Sequence, residues 1–212
     1  MSFRQRAISS LRAILAWQRV LGINGRNFYV GHENPVRAIA LVNNKAKTKA
    51  RLNAVGVAHV PTIAQIQDRL DLTMFPWSSL PDHWVLKPNC GSQGAGIMLA
   101  HADGEDGWQT AGKRRLDRTT LIDHIHHILE GDYSMGGMHR DSALFEPFIA
   151  PDPMLAALIP VGLPDIRVIC YRGEPVLAMA RLPTVRSAGR ANLHQEAVGA
   201  GVDMNSGRIV QA

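Results

Sequence analysis

Hydrophobic positions along the chain come in short runs separated by Gly, Pro and Asn, so the predicted elements are short as well. In residues 1–22, Ile8, Leu11, Ile14 and Leu15 recur at helical spacing while Gln5, Ser10 and the arginines fall on the other side, which predicts an amphipathic helix docked on the protein's own core. Gly22 to Pro35, rich in Gly and Asn, reads as a loop, and Ala38 to Val42 as a short apolar strand. Asn43 or Asn44 can cap a helix from Lys45 to Ala54 by accepting from free first-turn N–H groups, with Gly56 as its stop. Val57 to Val60 and Pro61 then lead into an element around Ile63 to Leu70.

Trp84 to Leu86 reads as a strand between Pro81 and Pro88, followed by a loop holding Gly91, Gly94 and Gly96 and by a second strand, Ile97 to Ala100. The pair forms a hairpin-like flap. Asp103 to Gly107 is an exposed turn, and Thr119 or Thr120 can cap a helix that runs to Glu130 and stops at Gly131. Leu144 to Ile149 is a short apolar stretch, and Pro151 to Pro164 an irregular connection. Asp165 to Tyr171 and Pro175 to Leu182 are strands around the turn Arg172-Gly173-Glu174. Hairpins with interspersed helices favour an α+β fold over a regular βαβ sheet.

Composition narrows the class. Of 212 residues, 46% are hydrophobic and 19% charged, which excludes a disordered chain, a collagen and a disulfide-stapled mini-scaffold. That length accommodates one large or two small domains. Cys90 and Cys170 match no metal or redox spacing, so a reducing cytoplasmic setting is expected. The longest apolar candidate, Met154 to Leu163, falls well short of the ~18 residues of a membrane span. A formal net charge of +5 is modest and fits a local anion site better than a nucleic-acid surface. Only five of the 23 basic residues are lysines: Lys45, Lys47, Lys49, Lys87 and Lys113.

Three familiar devices are absent: the G-x-x-x-x-G-K-[ST] phosphate loop, G-x-G-x-x-G opening a helix, and an H-E-x-x-H zinc pair. What remains is Lys87 at the end of a strand, directly before Gly91-Ser92-Gln93-Gly94-Ala95-Gly96. An ammonium beside a loop whose backbone N–H groups can aim at an anion is a phosphate clamp in chemical terms; a plain hairpin turn has the same pattern. Lys45, Lys47 and Lys49, taken alone, read as a solvated helix face. His124, His126 and His127 lie on the helix ending at Glu130; His126 and Glu130 share a face, giving either half a metal site or an exposed polar surface. Asp165 and Arg167 alternate onto one side of a strand, and Arg181, Arg186, Arg190 and Asn192 follow. Ion pairing would account for one such pair, whereas this density suggests a site for an anionic ligand.

Five segments, taken in order, resemble the ATP-grasp ligases: Asn44-Lys45 with Gly56 and Pro61-Thr62; Val85-Leu86-Lys87-Pro88 with its glycine loop; Glu146-Pro147-Phe148-Ile149; Asp165-Ile166-Arg167; and Arg190-Ala191-Asn192-Leu193-His194. The branch resembled is that of the alpha-L-glutamate or RimK-like ligases. The resemblance implies two α+β lobes holding ATP between them, with residues 1–42 as a leading segment, 43–145 as the small lobe and lid, and 146–212 as the start of the second lobe, apparently without its C-terminal part.

It further implies that Lys45 and Lys87 contact ATP phosphates and that Gly91, Ser92, Gln93, Gly94, Ala95 and Gly96 close over them. Glu146, Pro147, Phe148 and Ile149 would read adenine through backbone groups, Asp165 would meet the ribose, and Arg167, Arg190 and Asn192 would serve the terminal phosphate and the acceptor. The implied reaction joins a small-molecule or peptide carboxylate to an amino-acid amine through an acyl phosphate. Nucleic acid and a membrane span are not implied, and oligomeric state is left open. Magnesium is implied too, but the family's Asp and Glu-x-Asn ligands would lie C-terminal to residue 212, so no residue here is assigned to metal. A fragment of a longer ligase, a short protein that binds nucleotide or a partner without ligating, and an unfamiliar metal set of Asp165, Glu196 and Asp203 are the competing accounts.

Overall fold

The computed structural model describes residues 22–104, 107–110, 114–134, 140–157, 159, 161–187 and 189–211. Residues 1–21, where the amphipathic helix is expected, lie outside the described residues, as do Lys113 and His139. The chain divides into two compact units, Met1–Val42 and Asn43–Ala212.

Both described elements of the first unit differ from expectation. Gly22 to Pro35 is mostly a helix, α1 (Ile23–Glu33), and Ala38 to Val42 belongs to a second, α2 (Val36–Val42), not to a strand. The Asn34 side chain folds back to donate to the Val30 carbonyl at the end of α1, and Phe28 stacks on His32 one turn later. Pro35 opens α2, its carbonyl accepting from Ala38 and Ile39. A five-residue apolar run fits strand and helix equally well, and the proline at the helix start decides it.

In the second unit, α3 (Lys45–Ala54) has the expected bounds, with Asn44 as its cap accepting from the Lys47 N–H. The element around Ile63 to Leu70 is two elements: β1 (Ala64–Ile66) and α4 (Arg69–Thr73), divided by Asp68, which caps the helix through the Leu70 and Asp71 N–H groups. β2 (His83–Pro88) and β3 (Met98–Ala102) form the expected antiparallel hairpin. β4 (Trp108–Thr110), β5 (Arg115–Leu116) and β6 (Ala143–Pro147) complete a six-stranded antiparallel sheet in the order β1-β6-β2-β3-β4-β5.

Alternation along β2 sends Trp84 and Leu86 to one face and Val85 and Lys87 to the other. Trp84 and Leu86, with Phe145, Ile66 and Leu116, pack against helix α5 (Arg118–Glu130), which presents Leu121, Ile125, Ile128 and Leu129 at helical spacing. The cap of α5 is Asp117, whose carboxylate accepts from the Thr120 N–H, and not Thr119 or Thr120. A carboxylate is at least as good a cap as a hydroxyl, so the helix starts at the first capable residue. Gly131, in the left-handed region at φ 86°, ends it as expected.

The stretch Pro151 to Pro164 is not wholly irregular, since it contains the short helix α6 (Pro153–Ala156) capped by Asp152. A second antiparallel sheet follows, β7 (Asp165–Tyr171), β8 (Glu174–Leu182), β9 (Val198–Val202) and β10 (Ile209–Gln211), in the order β10-β9-β8-β7. Its first hairpin turns on two residues rather than three. Arg172 and Gly173 both take positive φ, the mirror-image turn that suits the twist of the strands, and Glu174 already pairs with Tyr171. Asp203 makes the last turn, its carboxylate accepting from the N–H groups of Asn205 and Ser206 and from the Ser206 hydroxyl, which holds it below the usual carboxylate range. Two antiparallel sheets with interspersed helices agree with the α+β expectation.

Phe145 is fully buried, stacked on Phe75 and edge-on to Trp84. Phe145→Ala is therefore expected to cost about 3–5 kcal/mol. Ile209→Ala, on a largely exposed strand, should stay within about 0.5 kcal/mol. Urea midpoints of the two variants check the contrast.

Candidate functional site

Three lysines converge on the face of the first sheet opposite its core. β2 delivers Lys87 there, and β6, its neighbour, delivers Glu146, because the register pairs Lys87 with Leu144 and Val85 with Glu146. Helix α3 contributes Lys45 and Lys49, four apart and so on one side. Lys49 Nζ donates to Glu146 Oε1 at 2.5 Å and to the Thr62 hydroxyl at 3.0 Å. Lys87 pairs with the other oxygen of the same carboxylate. Glu146 is thus a buried counter-ion shared by two ammoniums, its side chain only 3% exposed. Lys49 is not on a solvated face, a correction to the sequence reading; Lys47, two residues from it and so on the other side of the helix, is exposed.

Lys45 plays another part. Its Nζ donates to the carbonyls of Pro88, Asn89 and Gly91 at 2.9, 3.1 and 2.6 Å, gathering the start of the glycine loop around one ammonium. Burial pushes that ammonium below the ordinary lysine range, and repulsion from Lys87 adds to the shift. Asn89 completes the junction: its side-chain oxygen accepts from the Ala46 N–H and its carbonyl from the Lys45 N–H.

The loop itself is held at both ends. Buried Asp141 accepts from the Cys90 N–H, the Ser142 N–H and the Ser134 hydroxyl, and Gly91 forms an isolated β-bridge with Ser134. Burial, together with Asp141, pushes the Cys90 thiol up, which favours its neutral form. Gln93, Gly94 and Gly96 all take positive φ, and the Ala95 N–H donates to the Ser92 carbonyl. Lys45, Lys87, Gly91 to Ala95 and Ile97 line a recess of about 130 Å³.

The remaining expected residues come from the end of β6 and from the second sheet and its connections. Arg190 reaches the loop: its Cδ and Nε lie 3.7 Å from the position a Cβ on Gly94 would take. Asn192 accepts from the His194 N–H and caps a short 3-10 turn, Leu193–Gln195. Arg167 is exposed on β7. Asp165 is bidentate to Arg181 at 2.7 and 2.6 Å, and Arg186 is bidentate to Glu196, both oxygens at 2.9 Å. Phe148 and Ile149 follow β6 with roughly half their surface exposed, and Pro147 pairs with Trp84. The structure therefore brings Lys45, Lys87, the loop and Arg190 together, while Asp165 and Asn192 are occupied by partners of their own.

Among the described residues no group of three His, Cys, Asp or Glu side chains gathers as a metal site. Asp165, Glu196 and Asp203 are each engaged elsewhere, as described above, and do not fit a shared metal. The helix histidines are not simply an exposed face. His127 pairs with Asp132, His126 is half-buried, and His124 bonds the Gly96 carbonyl. Sequence reasoning missed the loop supports His124, Tyr133 and Asp141. The available signal was the histidine cluster that follows the glycine loop by 28 residues, which spacing alone cannot connect to it.

A family model described as sugar-transfer associated ATP-grasp matches residues 24–212. This bears out the ATP-grasp superfamily and does not bring out the glutamate-ligase branch. No curated protein and no solved structure matches the chain. Among the described residues, no helix is long and apolar enough to cross a membrane.

Gly96, at φ +70°, would put a Cβ 2.6 Å from the Tyr133 ring and 2.7 Å from Pro88 Cγ. Gly207 has the same φ with nothing within 4 Å. Gly207→Ala should cost about 1–2 kcal/mol from backbone strain alone, and Gly96→Ala about 1–3 kcal/mol more for overpacking. The difference between their urea midpoints isolates the contribution of the loop's packing.

Proposed function

The chain belongs to the sugar-transfer associated ATP-grasp family, and from that premise we propose that it binds ATP at the lysine-lined recess and uses it to join a carboxylate to an amine. ATP-grasp proteins bind ATP, typically with magnesium, and are generally ligases or transferases. The observation that carries the reading is the convergence of Lys45, Lys87 and Arg190 on one glycine loop. A polyphosphate needs concentrated positive charge and loop N–H donors, and the reaction needs positioning more than a protein nucleophile.

In this reading Lys87 exchanges Glu146 for phosphate oxygens while Lys49 keeps the carboxylate neutralised. Charge favours that exchange, since a unit pair at 4 Å is worth about 4 kcal/mol in a surface-like dielectric and a polyphosphate offers several charges against one shared carboxylate. Lys45 shapes the loop and lends its charge. Gly91 to Gly96 cover the phosphates, Glu146 to Ile149 border the base, and Asp165 lies toward the ribose. Arg190, Arg167 and Asn192 serve the terminal phosphate and the acceptor. A carboxylate oxygen attacks the terminal phosphorus and ADP leaves. The amine nitrogen then attacks the acyl carbon, phosphate departs, and the amine gives up its proton as the amide forms. Since the family is described as sugar-transfer associated, a carboxylate borne on a sugar is the substrate proposed first, with an amino acid such as glutamate as the amine. No step is assigned to magnesium.

A second reading, nucleotide binding without ligation, is favoured by one observation: Asp165 and Glu196 are each held bidentately by an arginine, and Asp203 is used up by its own turn.

Calorimetric titration with ATP should show Lys87→Ala binding at least about tenfold more weakly, a loss of about 1.4 kcal/mol. Arg69→Ala, an exposed residue paired with Glu130, should leave affinity unchanged. Equal affinities for the two variants would place the phosphates elsewhere. ADP release with ATP, magnesium and paired uronic and amino acids supports ligation. Binding without ADP release favours the second reading, and absence of binding removes both.

Lys45 adds a pH signature. Its ammonium is depressed in the free protein, and a neighbouring polyphosphate raises it again, so the complex holds more protons than the free chain. Binding should take up protons and weaken as pH rises between the depressed value and the ordinary 10.5. Titrations in two buffers of different ionisation enthalpy would measure that uptake.

A further inference from the structure

One end of the glycine loop is tied to a part of the fold that the nucleotide reading does not use. His124 Nε2 lies 2.9 Å from the Gly96 carbonyl oxygen, and a carbonyl can only accept, so Nε2 carries the proton. That leaves Nδ1 as an acceptor in the neutral ring. The Tyr133 hydroxyl faces it at 3.4 Å, and the two rings sit 5.4 Å apart. The same Tyr133 ring closes on Gly96, where even a methyl group would clash with it.

The anchor behind this pair is rigid. His124 stands on α5 between Leu121, Ile125 and Ile128, all without exposed surface in the main core. Tyr133 stands two residues after the Gly131 stop of that helix, and Ser134 beside it bridges Gly91 at the loop's other end. Both ends of Gly91–Gly96 are thus referenced to one helix and its C-terminal turn, and only Ser92 to Ala95 lie between them.

We propose that His124 is a positioning residue that fixes the Gly96 hinge of the glycine loop, with Tyr133 fixing the histidine's tautomer. Its consequence for ATP rests on the nucleotide reading above; its effect on the loop does not. Removing the imidazole frees the Gly96 carbonyl and lets the downstream end of the loop swing, while α5 keeps its core contacts.

Hydrogen exchange on the full chain without nucleotide tests the loop directly. His124→Ala should speed exchange at residues 92–97 by about fivefold, the worth of one neutral hydrogen bond, with exchange in α5 less affected and the urea midpoint lowered by no more than that one bond accounts for. His124→Gln, which can still present an N–H to Gly96, should restore slow exchange, and Tyr133→Phe should give a smaller increase than His124→Ala. Unchanged loop exchange in His124→Ala overturns the proposal, as does an increase shared equally by α5, or a failure of Gln to rescue. In an ATP titration, His124→Ala should weaken affinity and His124→Gln recover it. If the wild-type chain fails to bind ATP, the nucleotide reading falls while the exchange result still judges the hinge.

Discussion

Glu146 sets the charge balance on which the recess depends. A buried carboxylate costs several kcal/mol in lost hydration, and that cost is offset here by two ammoniums, one on each oxygen. The arrangement exists because β2 and β6 are in register, and the register is specified on the opposite face. Trp84, Leu86 and Phe145 must all point into the core, and a slip of one residue would turn them out and bury Lys87. Core packing on one side of the sheet therefore places charge on the other. Helix α3 is locked to the same sheet face through Lys49 and to the loop through Lys45 and Asn89.

The loop has its own internal consistency. Lys45 collects three carbonyl oxygens on one ammonium. With those oxygens turned toward an ammonium and Asp141 saturated by neutral donors, the exposed chemistry of the recess is positive. Arg190 approaches from the connection between β8 and β9, so the loop tip is where the first sheet's loop meets a connection of the second sheet. Asp165 and Arg181 cancel one another on β7 and β8, while Arg167 is exposed on β7.

What was legible in the sequence was local. Asn44 as a cap, the helix from Lys45 to Ala54, the β2–β3 hairpin and the Gly131 stop each rest on contacts between neighbouring stretches of the chain. Ala38 to Val42 went astray because an apolar run of that length carries no periodicity, and Gly22 to Pro35 because Gly and Asn lower helix propensity without forbidding a helix. Lys49 and His124 were misread for a different reason. Their partners, Glu146 and Gly96, lie 97 and 28 residues away, and only the folded sheet brings them together.

The short span between the loop's two ties has a geometric consequence. Five residue steps separate Gly91 from Gly96, a contour of about 17 Å, so a segment fastened at both ends can lift its middle by no more than about 8 Å. A tether of that reach can sweep the mouth of the recess and little else. Whatever the protein recognises farther along a bound molecule must be read by surfaces that do not move with the loop, which makes opening for release a separate event from the choice of what to hold.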